Sequence, residues 1–259
     1  MEFIYSETIF YLLTFLRISG LFFFTPFFSS KSIAMKIKLG LIFFIAFIIY
    51  PNIPKDISII ENITFFKFTA LIVKELFIGG IIGYFLMLLF SIVQTASQLY
   101  SMGMGFGMVN VLDPISQIQL PILGQFNYLI LLSIFLISGV HRKVLMILIN
   151  SFYKFELGKL NYNYSNLAQE ILENFAYYFL IAVKLALPIL GVLFLIDIIL
   201  GIMAKIAPQM NVFFIGMPLK MLVGFLFLIA FTPYMLEFFK FLLNDGYARV
   251  IELLGKVLM

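Results

Sequence analysis

The sequence contains no cysteine and no tryptophan, and its only histidine is His141. Without cysteine the chain forms neither disulfides nor thiolate metal sites, and one histidine is too few for the usual zinc sites. We therefore expect no bound metal and no cofactor. Any aromatic belt at a membrane–water interface would have to come from the 13 tyrosines.

Charge is also scarce, because only 12% of the 259 residues are charged while 63% are hydrophobic. Soluble domains carry about 25% charged residues, and a soluble fold of this composition would expose large apolar patches and aggregate. The longest basic run is Arg142-Lys143, so the chain has no patch that could follow a nucleic-acid backbone. The composition predicts an all-α polytopic membrane protein with no nucleic-acid partner.

Six apolar segments follow one another, and a membrane helix needs about 20 such residues. Proline removes a backbone donor, so Pro188, Pro218 and Pro233 predict kinked or broken hairpins that pack against other protein. We predict a single membrane domain over residues 1–259. The six segments are Thr8–Phe28, Leu39–Tyr50 (short for a full span), Leu76–Val93, Ile122–Val140, Phe175–Met203 and Met221–Leu236.

Charges inside apolar segments are candidates for function because they are costly in lipid. Arg17 lies in the middle of the first segment and is interpreted as a snorkelling or subunit-pairing arginine. Lys74 and Glu75 are adjacent, so they should point about 100° apart on a helix and not face each other. Glu75 would then pair with another chain or cap a helix near the membrane surface. The chain has no series of carboxylates or histidines that would support a proton relay.

Two further features concern backbone shape. Gly79 and Gly83 lie four residues apart, which puts them on one helix face and lets another helix approach closely. The stretch from Gln94 to Pro121 has alternating glycines that disfavour a helix. It forms either a plain flexible loop or a flexible apolar seal, in which soft methionines close a narrow passage. The candidate sealing residues are Met102, Gly103, Met104, Gly105, Phe106, Gly107, Met108, Asp113 and Pro114.

Several of these motifs resemble the FliR/SctT family of type III secretion export-gate proteins. The likeness begins at Arg17-x-x-Gly20 and Lys74-Glu75-x-x-x-Gly79, and it includes the glycine-rich stretch that ends at Asp113-Pro114. Its most specific part is the string from Ala207 to Lys220, APQMNVFFIGMPLK. The resemblance covers nearly the whole chain.

The resemblance implies one copy of this chain in a helical export gate with five FliP-like and four FliQ-like subunits. FlhB-like switch and FlhA-like channel proteins would be neighbours, and unfolded flagellar proteins the cargo. The gate would lie in the bacterial inner membrane at the flagellar basal body, among lipid, and the loop at about 102–121 would plug its pore. No enzymatic role is implied. The expected subunit-interface residues are Arg17, Lys74, Glu75, Gly79, Gly83, Pro208, Gln209, Asn211, Gly216, Pro218 and Lys220.

Three alternatives stay open at this point. The first is the injectisome paralogue of the same family. The second is a small-solute transporter or channel that works alone, which would need a cluster of polar groups within the membrane; the sequence suggests no such cluster. The third is an intramembrane enzyme, for which no catalytic constellation is found.

Overall fold

The structure is a computed structural model that describes residues 2–26, 33–55, 64–106, 122–159 and 167–256. Within these ranges the chain is helical and contains no strand. The helices are α1 (Glu2–Phe24), α2 (Met35–Ile49, followed by a 3-10 turn at Tyr50–Asn52), α3 (Phe65–Gly103), α4 (Ile122–Ile137), α5 (Val140–Lys154), α6 (Leu167–Ile206) and α7 (Val212–Lys256).

Five of the described helices are long and apolar enough to cross a membrane, and a sixth span results if α4 and α5 count as one. These two helices meet at an angle of 68°. Gly139 lies between them with a φ of 71°, a left-handed conformation that glycine adopts without strain. The expected all-α membrane fold with about six apolar segments is therefore confirmed, although the segment Ile122–Val140 ends in a bend at Gly139.

The helices are longer than the sequence predicts. Helix α3 continues to Gly103, so the expectation of a non-helical stretch from Gln94 onward is wrong for its first ten residues. Prolines also fail to interrupt the longer helices, since Pro188 lies inside α6 and Pro218 and Pro233 lie inside α7. Each proline removes only one donor, and the remaining backbone hydrogen bonds keep a helix in register where lipid offers no alternative partner.

The chain forms two compact units by its internal contacts. Unit 1 comprises Met1–Leu89, Phe135–Glu173 and Leu243–Met259, and unit 2 comprises Phe90–Ile134 and Asn174–Leu242. Each unit is described below by itself. The single domain expected from the sequence stays a prediction.

In unit 1, hydrogen bonds made by polar side chains hold α1 and α2 together. The Tyr11 hydroxyl donates to the carbonyl of Phe43 at 3.1 Å. The Glu7 carboxylate accepts hydrogen bonds from the Tyr50 hydroxyl and from Lys55 Nζ. These contacts fix the end of α2 and the turn after it against the first helix.

Candidate functional site

The first candidate site in unit 1 is a contact between the backbones of α1 and α3. A Cβ atom added to Gly79 would lie 1.9 Å from the carbonyl oxygen of Arg17, and one added to Gly83 would lie 2.7 Å from that of Leu21. From the other side, a Cβ on Gly20 would lie 2.4 Å from the carbonyl oxygen of Leu76. Only glycine fits at these positions. The close approach predicted at Gly79 and Gly83 is therefore seen, and the approaching helix is α1 of the same chain.

Arg17 lies beside this contact and is fully buried. Its Nε donates to Glu75 Oε2 at 2.5 Å, its Nη1 to the carbonyl oxygen of Ser151 at 2.8 Å, and its Nη2 to that of Phe155 at 2.7 Å. The guanidinium also lies 4.2 Å from the centre of the Phe152 ring. One arginine thus connects α1, α3 and the C-terminal end of α5.

Lys74 joins the same cluster from α3. Its Nζ lies 2.9 Å from Glu75 Oε1 and donates to the carbonyl oxygens of Glu156 at 3.0 Å and Lys159 at 2.8 Å. The last carbonyls of a helix have no intrahelical donor and carry partial negative charge. Two cations therefore face the end of α5 and the turn that follows it.

The cluster corrects two expectations. Lys74 and Glu75 do pair, because the flexible lysine side chain bends back to the neighbouring carboxylate although the two Cβ atoms diverge. Glu75 is paired with Arg17 of this chain, so the expected pairing with another chain or a surface cap is wrong. Removing Glu75 would leave both cations buried without this carboxylate, and a loss of this kind costs about 3–5 kcal/mol.

The sequence did not suggest the buried cluster of polar groups in unit 1. Apart from Glu75, Arg17 and Lys74 bind backbone carbonyls more than 80 residues away along the chain, and backbone groups are not visible in a sequence pattern. The charged side chains of the cluster do not line the three cavities characterised in the described part of the chain.

Unit 2 contains the beginning of the predicted seal. Gly103 ends α3, and Gly105 has a φ of 95°, which requires glycine. Met104 is fully buried against Gly224 of α7, where an added Cβ would lie 2.5 Å from Met104 Cε. The ring of Phe106 meets that of Phe225 edge-on, with 5.9 Å between centroids. The residues that follow α3 therefore pack closely against an apolar surface of α7, and this contact is called the seat.

Met102 is largely exposed at the end of α3, unlike its neighbour Met104. The other predicted sealing residues, Gly107, Met108, Asp113 and Pro114, lie outside the described residues. The sealing role itself stays a prediction.

An apolar cavity of about 390 Å³ lies beside this seat in unit 2. Phe106, Leu123 and Phe225 are among its lining residues, and Asn127 and Thr232 supply its few polar atoms. Asn127 is held by a buried network, in which its amide donates to Ser97 Oγ at 2.9 Å and to the Tyr100 hydroxyl. Sequence reasoning missed this network because Ser97 and Tyr100 were assigned to a loop, whereas α3 places them on one helical face.

The most family-specific string forms the connection between α6 and α7 in unit 2. Pro208, Gln209 and Asn211 are exposed in the turn. Further along, Gly216 is buried against Leu200, whose Cδ1 would lie 2.9 Å from an added Cβ. Lys220 pairs with Asp197, a partner that sequence reasoning did not assign. Pro218 is exposed within the first turns of α7.

No group of three or more histidine, cysteine, aspartate or glutamate side chains that could hold a metal occurs in the part of the chain that the structure describes. The arrangement offers close helix packing, buried charge pairing and apolar packing surfaces.

Comparison with known proteins gives a family and named relatives. The model of the family described as bacterial export proteins, family 1, matches residues 8–246. The chain is 33% identical to the flagellar biosynthetic protein FliR of Bacillus subtilis over 227 residues, which is 85% of each chain. It is 28% identical to FliR of Escherichia coli over 93% of this chain and 91% of that protein. It is 30% identical to FliR of Aquifex aeolicus over 86% and 84%.

Proposed function

This chain belongs to the bacterial export proteins, family 1, and from that membership we propose that it is the FliR-like subunit of a flagellar protein export gate. A role in flagellar export follows from the family and from the flagellar names of its relatives. The proposal adds that the chain helps to form the pore through which unfolded flagellar proteins leave, and that it plugs this pore at rest.

The observation that carries the proposal is the match of the family model over nearly the whole chain. Two structural features support it. Helix α7 has a low buried share, 11% in an apolar 18-residue window within Phe214–Gly255, so much of its surface there is left for other molecules. The buried charges of unit 1 are bound by the chain's own side chains and carbonyl oxygens, which argues against a stand-alone solute transporter.

We further propose the partners and location that the resemblance implies. The gate would contain FliP-like and FliQ-like subunits in the ratio of five to four for one copy of this chain, next to FlhB-like and FlhA-like proteins. It would lie in the inner membrane at the flagellar basal body. The protein would have no enzymatic activity, and the energy for export would come from elsewhere in the apparatus. The injectisome alternative is not carried forward, because the relatives described above bear flagellar names.

The plugging role is supported by the seat of Met104 on Gly224 and by the left-handed Gly105 that follows it. An apolar seal of this kind acts by steric blockage, and methionine adapts its shape to irregular surfaces. Because Gly105 adopts its left-handed conformation without strain, the segment that carries Met104 is able to separate from α7 and to pack against it again.

The test compares deletion of the seal with its stiffening. Deleting residues 103–108 should leave a gate that assembles but leaks small dyes into the cell. Gly105→Val disfavours φ > 0 and should reduce secretion of hook or filament protein without a leak. The control is Met104→Leu, which keeps the volume at the seat and should leave both readouts near the parent level.

If the deletion neither leaks nor changes secretion, the plug is excluded while membership in the gate stands. If a strain that lacks this chain secretes filament protein normally, the export role itself is excluded.

A further inference from the structure

We propose that Arg17 and Lys74 are positioning residues that hold the turn after α5, residues 155–159, against α1 and α3. Arg17 donates to the carbonyl oxygen of Phe155, and Lys74 donates to two carbonyl oxygens further along the turn. The proposal concerns unit 1 alone, and it does not depend on the export function.

Charge balance alone does not explain two cations in this place. The cluster pairs Arg17 and Lys74 with one carboxylate, Glu75, and all three side chains are buried. Glu156 and Lys159 pair with each other at the surface at 2.6 Å, so they add no net charge. Both cations also donate to backbone carbonyl oxygens of the turn, and one of these acceptors belongs to Phe155, a buried residue whose carbonyl needs a donor.

The conformation of the turn at residues 155–159 depends on the hydrogen-bond donors of Arg17 and Lys74. Gly158 has a φ of 88°, which lets the chain reverse after α5. The reversal buries Leu157 completely and Phe155 almost completely. Carbonyl oxygens thus point toward the cations while apolar side chains enter unit 1. Without the cations, the carbonyl of the buried Phe155 would lose the Arg17 donor, and the turn that carries Leu157 would be released toward water.

The contact between α1 and α3 is independent of these donors. It is made by backbone atoms at Gly20, Gly79 and Gly83 and does not use the side chain of Arg17. Loss of a cation should therefore release the turn and leave the body of unit 1 packed.

The absence of cysteine makes the experiment direct, since one introduced thiol is the only thiol in the chain. Leu157→Cys, at a position 0% exposed, reports on the turn, and Leu253→Cys, at a position 1% exposed on α7, reports on the body of unit 1. The full chain in mild detergent is labelled with a small maleimide, and the rate is measured for each reporter in parent and variant backgrounds.

Arg17→Met and Lys74→Met should each raise the labelling rate at position 157 by about tenfold or more, because hydrogen bonds from charged donors are lost. The rate at position 253 should change by less than about twofold, which is the range of ordinary context effects. Glu75→Gln is different, since it keeps the donors but leaves two like charges in the interior. It should raise both rates.

The double variant Lys74→Met/Glu75→Gln removes the second cation. It should return the rate at position 253 toward that of the parent while position 157 stays fast. Equal rises in the labelling rates at positions 157 and 253 in Arg17→Met would show that Arg17 holds the whole of unit 1. No rise in the rate at position 157 in Arg17→Met and in Lys74→Met would show that the turn needs neither cation. Either result overturns the proposal.

Discussion

Single residues decide how closely α1 and α3 approach, and the decisive property is the absence of a side chain. At Gly79 the neighbour is a backbone carbonyl, which cannot turn aside as a flexible side chain can. At Gly224 the neighbour is instead the end of Met104, which has three rotatable bonds. Substitutions at these two glycines should therefore differ in cost although both sites are closely packed.

Gly79→Ala should already disrupt the protein, because even one methyl group collides with Arg17 carbonyl oxygen at 1.9 Å. Overpacking of this kind costs about 1–3 kcal/mol, and Gly79→Leu should cost more. The measurement is the midpoint of thermal unfolding and the yield of purified complex. Gly40→Ala is the matched control, since nothing lies within 4 Å of an added Cβ there. A normal yield and midpoint for Gly79→Ala would remove the glycine contact from the account.

At the scale of elements, the sequence predicted those features that depend on neighbouring residues. The glycine spacing on α3 and the apolar segments were predictable because helical periodicity fixes which residues share a face. The course of α3 to Gly103 was missed because the predicted glycine-rich stretch begins at Gln94, although the residues from Gln94 to Met102 contain no glycine and are helical. The bend at Gly139 has a visible signal in Ser138-Gly139, but α5 after it begins at Val140 and continues with His141-Arg142-Lys143, so its first turn has little apolar character.

The cluster around Arg17 and the pair Asp197–Lys220 were unpredictable for another reason. Their partners come from other helices, and only the tertiary fold brings them together. The sequence identified the charged residues that matter but not what each one binds.

The hairpin of α6 and α7 gives a prediction at this scale. Asn211 is exposed and directly precedes α7, so Asn211→Leu should leave the fold and membrane insertion intact at a cost of about 1 kcal/mol, the usual loss when asparagine is replaced at a helix N-cap. If the turn contacts a partner subunit, the same change should weaken co-purification of FliP-like and FliQ-like chains. Met210→Leu, on the same turn, is the control and should have no effect. Unchanged co-purification for Asn211→Leu would indicate an ordinary connecting turn.

At the scale of the whole molecule, the helices exceed what a bilayer requires. Helix α7 has 45 residues, which correspond to about 68 Å at a rise of about 1.5 Å per residue, whereas the hydrocarbon core is about 30 Å thick. Much of the apolar surface of α7 is also exposed, for example Phe214 at 76% and Ile229 at 70%. A chain with such helices needs other protein or lipid to cover them, and a multi-subunit gate provides protein on all sides.

Co-purification tests the central claim, that this chain works as one subunit of an export gate, most directly. The tagged full chain is extracted from the native membrane in a mild detergent, isolated by affinity, and its partners are identified and counted by mass spectrometry. The account predicts FliP-like and FliQ-like chains in excess over this chain, close to five and four copies for each one. Recovery of this chain alone, in a folded state, would contradict the account.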